Sequence, residues 1–115
     1  MKLYGVVGSV VVAMSISLLA PPASDPAVKA IYNSFGSGSL GAKALRVAKC
    51  ESNLNPKAVS GSGAQGLFQL MPFVWRAYGA GSPLHAGDNA ATAHRIYLKK
   101  GWAFWGTGRD GCGLA

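Results

Sequence analysis

Apolar positions along this chain fall into blocks with different periods. Residues 3–20 form an uninterrupted, uncharged run rich in Val, Leu and Ser. The blocks after it are periodic. Val28, Ile31, Tyr32 and Phe35 recur at helical spacing and predict a short helix over residues 26–35. Leu40, Ala44, Val47 and Ala48 share one face of a second helix, from residue 40 to about residue 51, while Lys43, Arg46 and Lys49 fall elsewhere. Ser39 stands where a capping side chain belongs. Residues 67–78 are apolar and read as helical in two pieces, with Pro72 in the first turn of the second. A last helix is expected over residues 89–100. Asp88 would cap it, Lys99 and Lys100 suit its C-terminal dipole, and Gly101 stops it.

Polar and glycine-rich stretches separate these blocks. Residues 20–26 read as a Pro/Ala/Ser linker. Gly36-Ser37-Gly38-Ser39 either separates a peripheral helix from the domain or turns one core helix into the next. Residues 53–56 end the second helix, because the residue before Pro56 resists helical angles. Residues 60–66 are loop or a loose hairpin, and residues 79–87 are loop. No internal repeat is present. The fold class this predicts is mainly α, a small helical domain with little or no sheet. The organisation is 1–23 as an apolar export or anchor helix, 24–39 as linker and short helix, and 40–115 as the functional domain.

The first block reads as a targeting segment. Lys2 is its only charge, and a helix of its length would reach about 27 Å, marginal for a bilayer. No good cleavage site follows, so a removed signal peptide and an uncleaved membrane anchor both stand. Its terminal position and single flanking lysine disfavour a buried core helix. Without it, about 90 residues remain, too few for a large core. The chain has two cysteines, Cys50 and Cys112. In an exported protein such a pair forms a disulfide, contributing on the order of 4 kcal/mol by closing a long loop. In a cytoplasmic protein the pair would be two buried thiols.

Lys and Arg total 11 against 4 acidic residues, giving a formal net charge of +7. Such a chain is drawn to polyanions, of which an exported protein meets cell wall and anionic lipid. The cations are scattered and no nucleic-acid motif accompanies them, so nucleic acid is not an expected partner. A monomer is the expected state.

Candidate chemistry narrows quickly. His85 and His94 form no metal set, and no phosphate loop, serine elbow or cofactor motif is present. Neither a metal nor a cofactor is expected. Glu51 is the only glutamate. It stands at a helix C-terminus, where a negative charge is mildly unfavourable. Partial burial there would raise its pKa toward the range of a general acid. The competing reading is an exposed carboxylate at a helix end. Phe68, Phe73, Trp75, Tyr78, Tyr97, Trp102 and Trp105 could stack on sugar rings, with most of them consumed by the core.

The run Glu51-Ser52-x-x-Asn55-Pro56, then Ala58-x-Ser60, then Gly63-Ala64-x-Gly66-Leu67-Phe68-Gln69-Leu70-Met71-Pro72 resembles the soluble lytic transglycosylase domain of the lysozyme-like superfamily. Ile96-Tyr97, Gly101-Trp102 and Trp105 are similar to compact members such as resuscitation-promoting factors. The resemblance spans roughly residues 40–112. It implies an exported enzyme, secreted or held in the envelope, that cleaves peptidoglycan glycan strands between N-acetylmuramic acid and N-acetylglucosamine. It implies Glu51 as the acid/base, Ser60 bonding substrate or glutamate, and Gln69 reaching a sugar N-acetyl or hydroxyl group. Phe68 and Met71 would shape the groove floor, and Tyr97 would supply the aromatic hydroxyl. Ser52, Asn55 and Pro56 would fix the turn after the helix. The Ala-Tyr-Asn-x-Gly motif of larger members is absent. Transglycosylation by one glutamate, hydrolysis, and a non-catalytic wall-binding module are therefore separate readings. Asp110, in the turn sequence Arg109-Asp110-Gly111, is either a second carboxylate or a turn residue.

Overall fold

The computed structural model of the chain describes residues 24–106 and 111–114. The proposed export segment, residues 1–23, and Asp110 lie outside the described residues. Among the described residues there are four helices: α1 (Pro26–Phe35), α2 (Ser39–Ser52), α3 (Pro72–Tyr78) and α4 (Ala86–Lys100). Two short 3-10 turns follow, Trp102–Trp105 and Cys112–Leu114. Among the described residues there is no named strand, only isolated bridges pairing Val59 with Gln65 and Gln65 with Leu70. None of the described helices is long and apolar enough to cross a membrane.

α1 starts because Asp25 accepts from the backbone N–H groups of Ala27 at 2.8 Å and Val28 at 3.4 Å, and Pro26 occupies the first turn. Of its predicted stripe Val28, Ile31 and Phe35 are buried and Tyr32 is half-buried, with Ala27 buried beside them, and the helix packs against α4 and α2. The Gly-Ser segment therefore turns one core helix into the next. α2 buries Gly41, Ala44, Val47 and Ala48. It ends at Asn53, whose left-handed backbone (φ 55°) lets its N–H reach the carbonyl of Lys49.

Three local expectations are corrected. Gly38, not Ser39, holds the cap position of α2, and no side chain caps it. α4 begins at Ala86 and is capped by His85, whose ring nitrogen accepts from the Asp88 N–H at 3.2 Å. Asp88 sits inside the first turn and its carboxylate accepts from the Ser82 N–H at 3.0 Å. Residues 67–71 are not helical. Gly66 (φ 80°) and Gln69 (φ 51°) take left-handed angles that a helix excludes. The run is apolar because Leu67, Phe68 and Leu70 are all core, a pattern that periodicity cannot separate from a buried helix.

What replaces the helix is a loop tied to its surroundings. Gln65 and Leu70 exchange two backbone hydrogen bonds at 3.0 Å, and Gly66 donates to the carbonyl of Ala58. Asn89, fully buried on α4, accepts from the Phe68 N–H at 2.9 Å and donates to the carbonyls of Gln65 and Pro83. A side chain at Gly66 would collide with Asn89 and Pro83, so this crossing requires glycine.

Candidate functional site

Glu51 continues the buried stripe of α2, one turn beyond Val47 and Ala48. Helical period, not a loop, carries this carboxyl against the core. Burial pushes its pKa up from the ordinary 4.5 to about 7. Desolvation is the cause, because an apolar wall disfavours the charged form.

The cleft beside it has a volume of about 370 Å³ and is lined by Glu51, Gln69, Met71, Phe73, Val74, Phe104, Trp105 and Gly106. Three segments build it: the end of α2, the loop running into α3, and the first 3-10 turn. The last is held from behind. The Trp105 indole N–H donates to the carbonyl of Phe68 at 3.0 Å. Cys50, next to Glu51, is bonded to Cys112, with Cα atoms 5.6 Å apart. That bond pins the C-terminal turn to the end of α2. Gly113 lies so close to Trp102 that a side chain there would overlap the Trp102 carbonyl.

Gln69 is positioned by its own amide. Its Nε2 donates to the carbonyls of Ala58 at 3.1 Å and Gly66 at 3.0 Å. Both amide hydrogens are thereby used, and the Oε1 atom is left as an acceptor. The Ser52 hydroxyl donates to the carbonyl of Ala48, and the Asn55 side chain accepts from the Lys57 N–H, so both fix the turn after α2.

The structure thus brings Glu51, Gln69 and Met71 together. It does not bring Ser60, Phe68 or Tyr97 to the cleft surface. The Ser60 hydroxyl accepts from the Ala64 N–H and lies 3.0 Å from that of Ser62, closing its own turn. Phe68 is fully buried, its ring 5.6 Å from Phe35 and 5.9 Å from Trp105. It supports the wall from within and presents no face to a ligand. Tyr97 packs at 4.6 Å against Trp102 within the aromatic cluster around Phe35. Phe104, Val74 and Gly106 are cleft residues that the sequence did not single out. Their walls form only where α3 meets the turn after α4, and no local pattern encodes that meeting.

A larger depression, about 450 Å³, lies between α1 and the start of α4, lined by residues including Lys29, Asn33 and His85. It holds none of the site residues expected from the sequence. Of these two cavities, the smaller is the candidate active site, because it contains the carboxyl tuned to neutral pH.

No solved structure matches the chain. A family model described as a transglycosylase-like domain matches residues 40–108, the span from the start of α2 past the first 3-10 turn, and includes every residue of the Glu51 cleft. The chain belongs to the transglycosylase-like domain family, whose resemblance to lysozyme-like lytic transglycosylases makes it a peptidoglycan-acting protein.

Proposed function

We propose that this protein cleaves the β-1,4 bond between N-acetylmuramic acid and N-acetylglucosamine by lytic transglycosylation, with Glu51 as the single acid/base. The observation that carries this reading is Glu51 itself, a carboxyl raised by burial to about 7 within a cleft of apolar and aromatic walls. At neutral pH about half of it is protonated, so it can give a proton and then take one back.

The steps balance around that one group. Glu51 protonates the bridging oxygen, and the bond from the muramic C1 to that oxygen breaks. The substrate's own N-acetyl group shields the oxocarbenium-like carbon. The Glu51 carboxylate removes the proton of the muramic C6 hydroxyl, whose oxygen bonds to C1 and closes a 1,6-anhydro ring. Glu51 ends protonated, as it began. Ring closure needs no second carboxylate, whereas hydrolysis would draw on one such as Asp110, which lies outside the described residues.

The substrate and the Cys50–Cys112 bond both suit a site outside the cytoplasmic membrane, and residues 1–23 would take the chain there. Mass spectrometry of the products tests the reading. Anhydro-muramic ends are expected from the wild-type protein, and Glu51→Gln should abolish product release while the protein remains folded. Reducing ends would make it a hydrolase. Wall binding with no release, indifferent to Glu51→Gln, would make it a binding module.

A further inference from the structure

Resting on that reading of the cleft, we propose that Phe73 and Phe104 form an aromatic subsite that takes a pyranose ring of the glycan strand by its C–H face. Phe73 is 61% exposed, although it is the second residue of a helix whose next residue, Val74, is buried. The core therefore uses Val74 and leaves Phe73 in solvent. Phe104 comes from a different element, the first 3-10 turn, and packs edge-on against Trp105 with ring centres 4.9 Å apart. Both side chains line the cavity that holds Glu51.

The polar inventory of that cavity says what they are for. Gln69 retains only an acceptor oxygen, Glu51 is committed to proton transfer, and among the described residues no other lining residue has a polar side chain free to grip a sugar. The indole N–H of Trp105 is taken by Phe68. What the described walls offer a ligand is therefore mainly apolar faces. A β-linked N-acetyl sugar has such faces, since its polar substituents project around the ring's rim and its axial C–H groups point above and below. Met71 and Val74 complete the apolar surface beneath. Because Phe73 contributes to no buried packing, its ring is available to a ligand at little cost in stability.

The test uses the full chain carrying Glu51→Gln, so that ligand survives. Its affinity for β-1,4-linked N-acetylglucosamine oligomers and for peptide-free glycan strands is measured by calorimetry. Phe73→Ala should weaken binding about 5- to 10-fold, with the melting temperature unchanged. Phe73→Trp should restore it. Phe73→Leu, which keeps the apolar bulk and loses the ring, should not. Phe104→Trp against Phe104→Leu should show the same split, and in the active enzyme these changes should act on KM more than on kcat. Equal affinity for the Leu and Phe proteins would overturn the proposal, as would unchanged affinity in Phe73→Ala. A wild-type chain that makes no product would defeat the proposed function instead, and binding measured on the Glu51→Gln protein would still decide the subsite.

Discussion

At the scale of single residues, the unusual group is Glu51. Its folded pKa, about 7, lies above the ordinary 4.5 because burial penalises the charged form. Two consequences follow with definite signs. In the proposed mechanism catalysis begins with proton donation, so kcat/KM should fall as pH rises through about 7, by tenfold per unit in the limit. Stability runs the same way. A carboxyl whose pKa is raised on folding favours the native state fully below 4.5, and that contribution is lost as pH rises through about 7. Glu51→Gln stays neutral throughout. Its stability should match the wild type in acid and exceed it above neutrality, by roughly 1–2 kcal/mol once solvent screening of the half-exposed carboxyl is allowed for. Melting curves across the pH range check this, and a gap of constant size would contradict it. Asn89 makes the opposite kind of statement. It is fully buried and holds three backbone groups from two loops. Asn89→Ala strands those groups and should cost about 2–4 kcal/mol in urea unfolding. Loss of activity should follow, because Gln69 depends on the loop that Asn89 ties down.

At the scale of elements, one wall of the cleft belongs to a 3-10 turn with little stability of its own. It is braced by the C-terminal turn, which the Cys50–Cys112 bond ties to the end of α2. The bond encloses a sequence separation of 62 residues, which corresponds to about 4 kcal/mol in the chain-entropy model. Cys50→Ser or reduction should lower unfolding stability by about 2–4 kcal/mol. It should also reduce kcat/KM at temperatures where the chain remains folded, because Phe104 and Trp105 lose their brace. Full activity in a folded, reduced protein would show that the wall stands without it. This dependence was half legible in sequence. The helices were, since α1, α2 and α4 each carry a one-sided apolar stripe. Glu51 was too, as the lone glutamate in a recognisable motif. The loop at residues 67–71 was not, because a run of buried residues looks the same whether wound as helix or tied by Asn89 and Gln69. Nor was the displacement of Phe68 and Tyr97 from the cleft. A motif records which residues occur together, and only packing decides which of them faces the ligand.

At the scale of the whole molecule, charge and site are separate among the described residues. The chain carries a formal net charge of +7, and Arg46, Lys49, Lys57, Arg76, Lys99 and Lys100 are all exposed. Yet among the described residues no lysine or arginine lines the Glu51 cleft. In the proposed function the field acts on approach to a polyanionic surface, and the cleft acts on the glycan once there. The cell wall is such a surface, through the carboxylates of its stem peptides. These two roles predict different salt responses. Between roughly 0.05 and 0.5 M salt the screening length falls from above 10 Å to a few ångströms. Binding of the Glu51→Gln protein to intact, insoluble cell wall should weaken severalfold over that range. Turnover of short, peptide-free glycan strands by the wild-type protein should change little, because those strands carry fewer charges and are held by apolar faces and one acceptor oxygen. Equal salt sensitivity in the two assays would mean that cations reach into catalysis itself, and would move the search for contacts from the cleft walls to the basic surface around them.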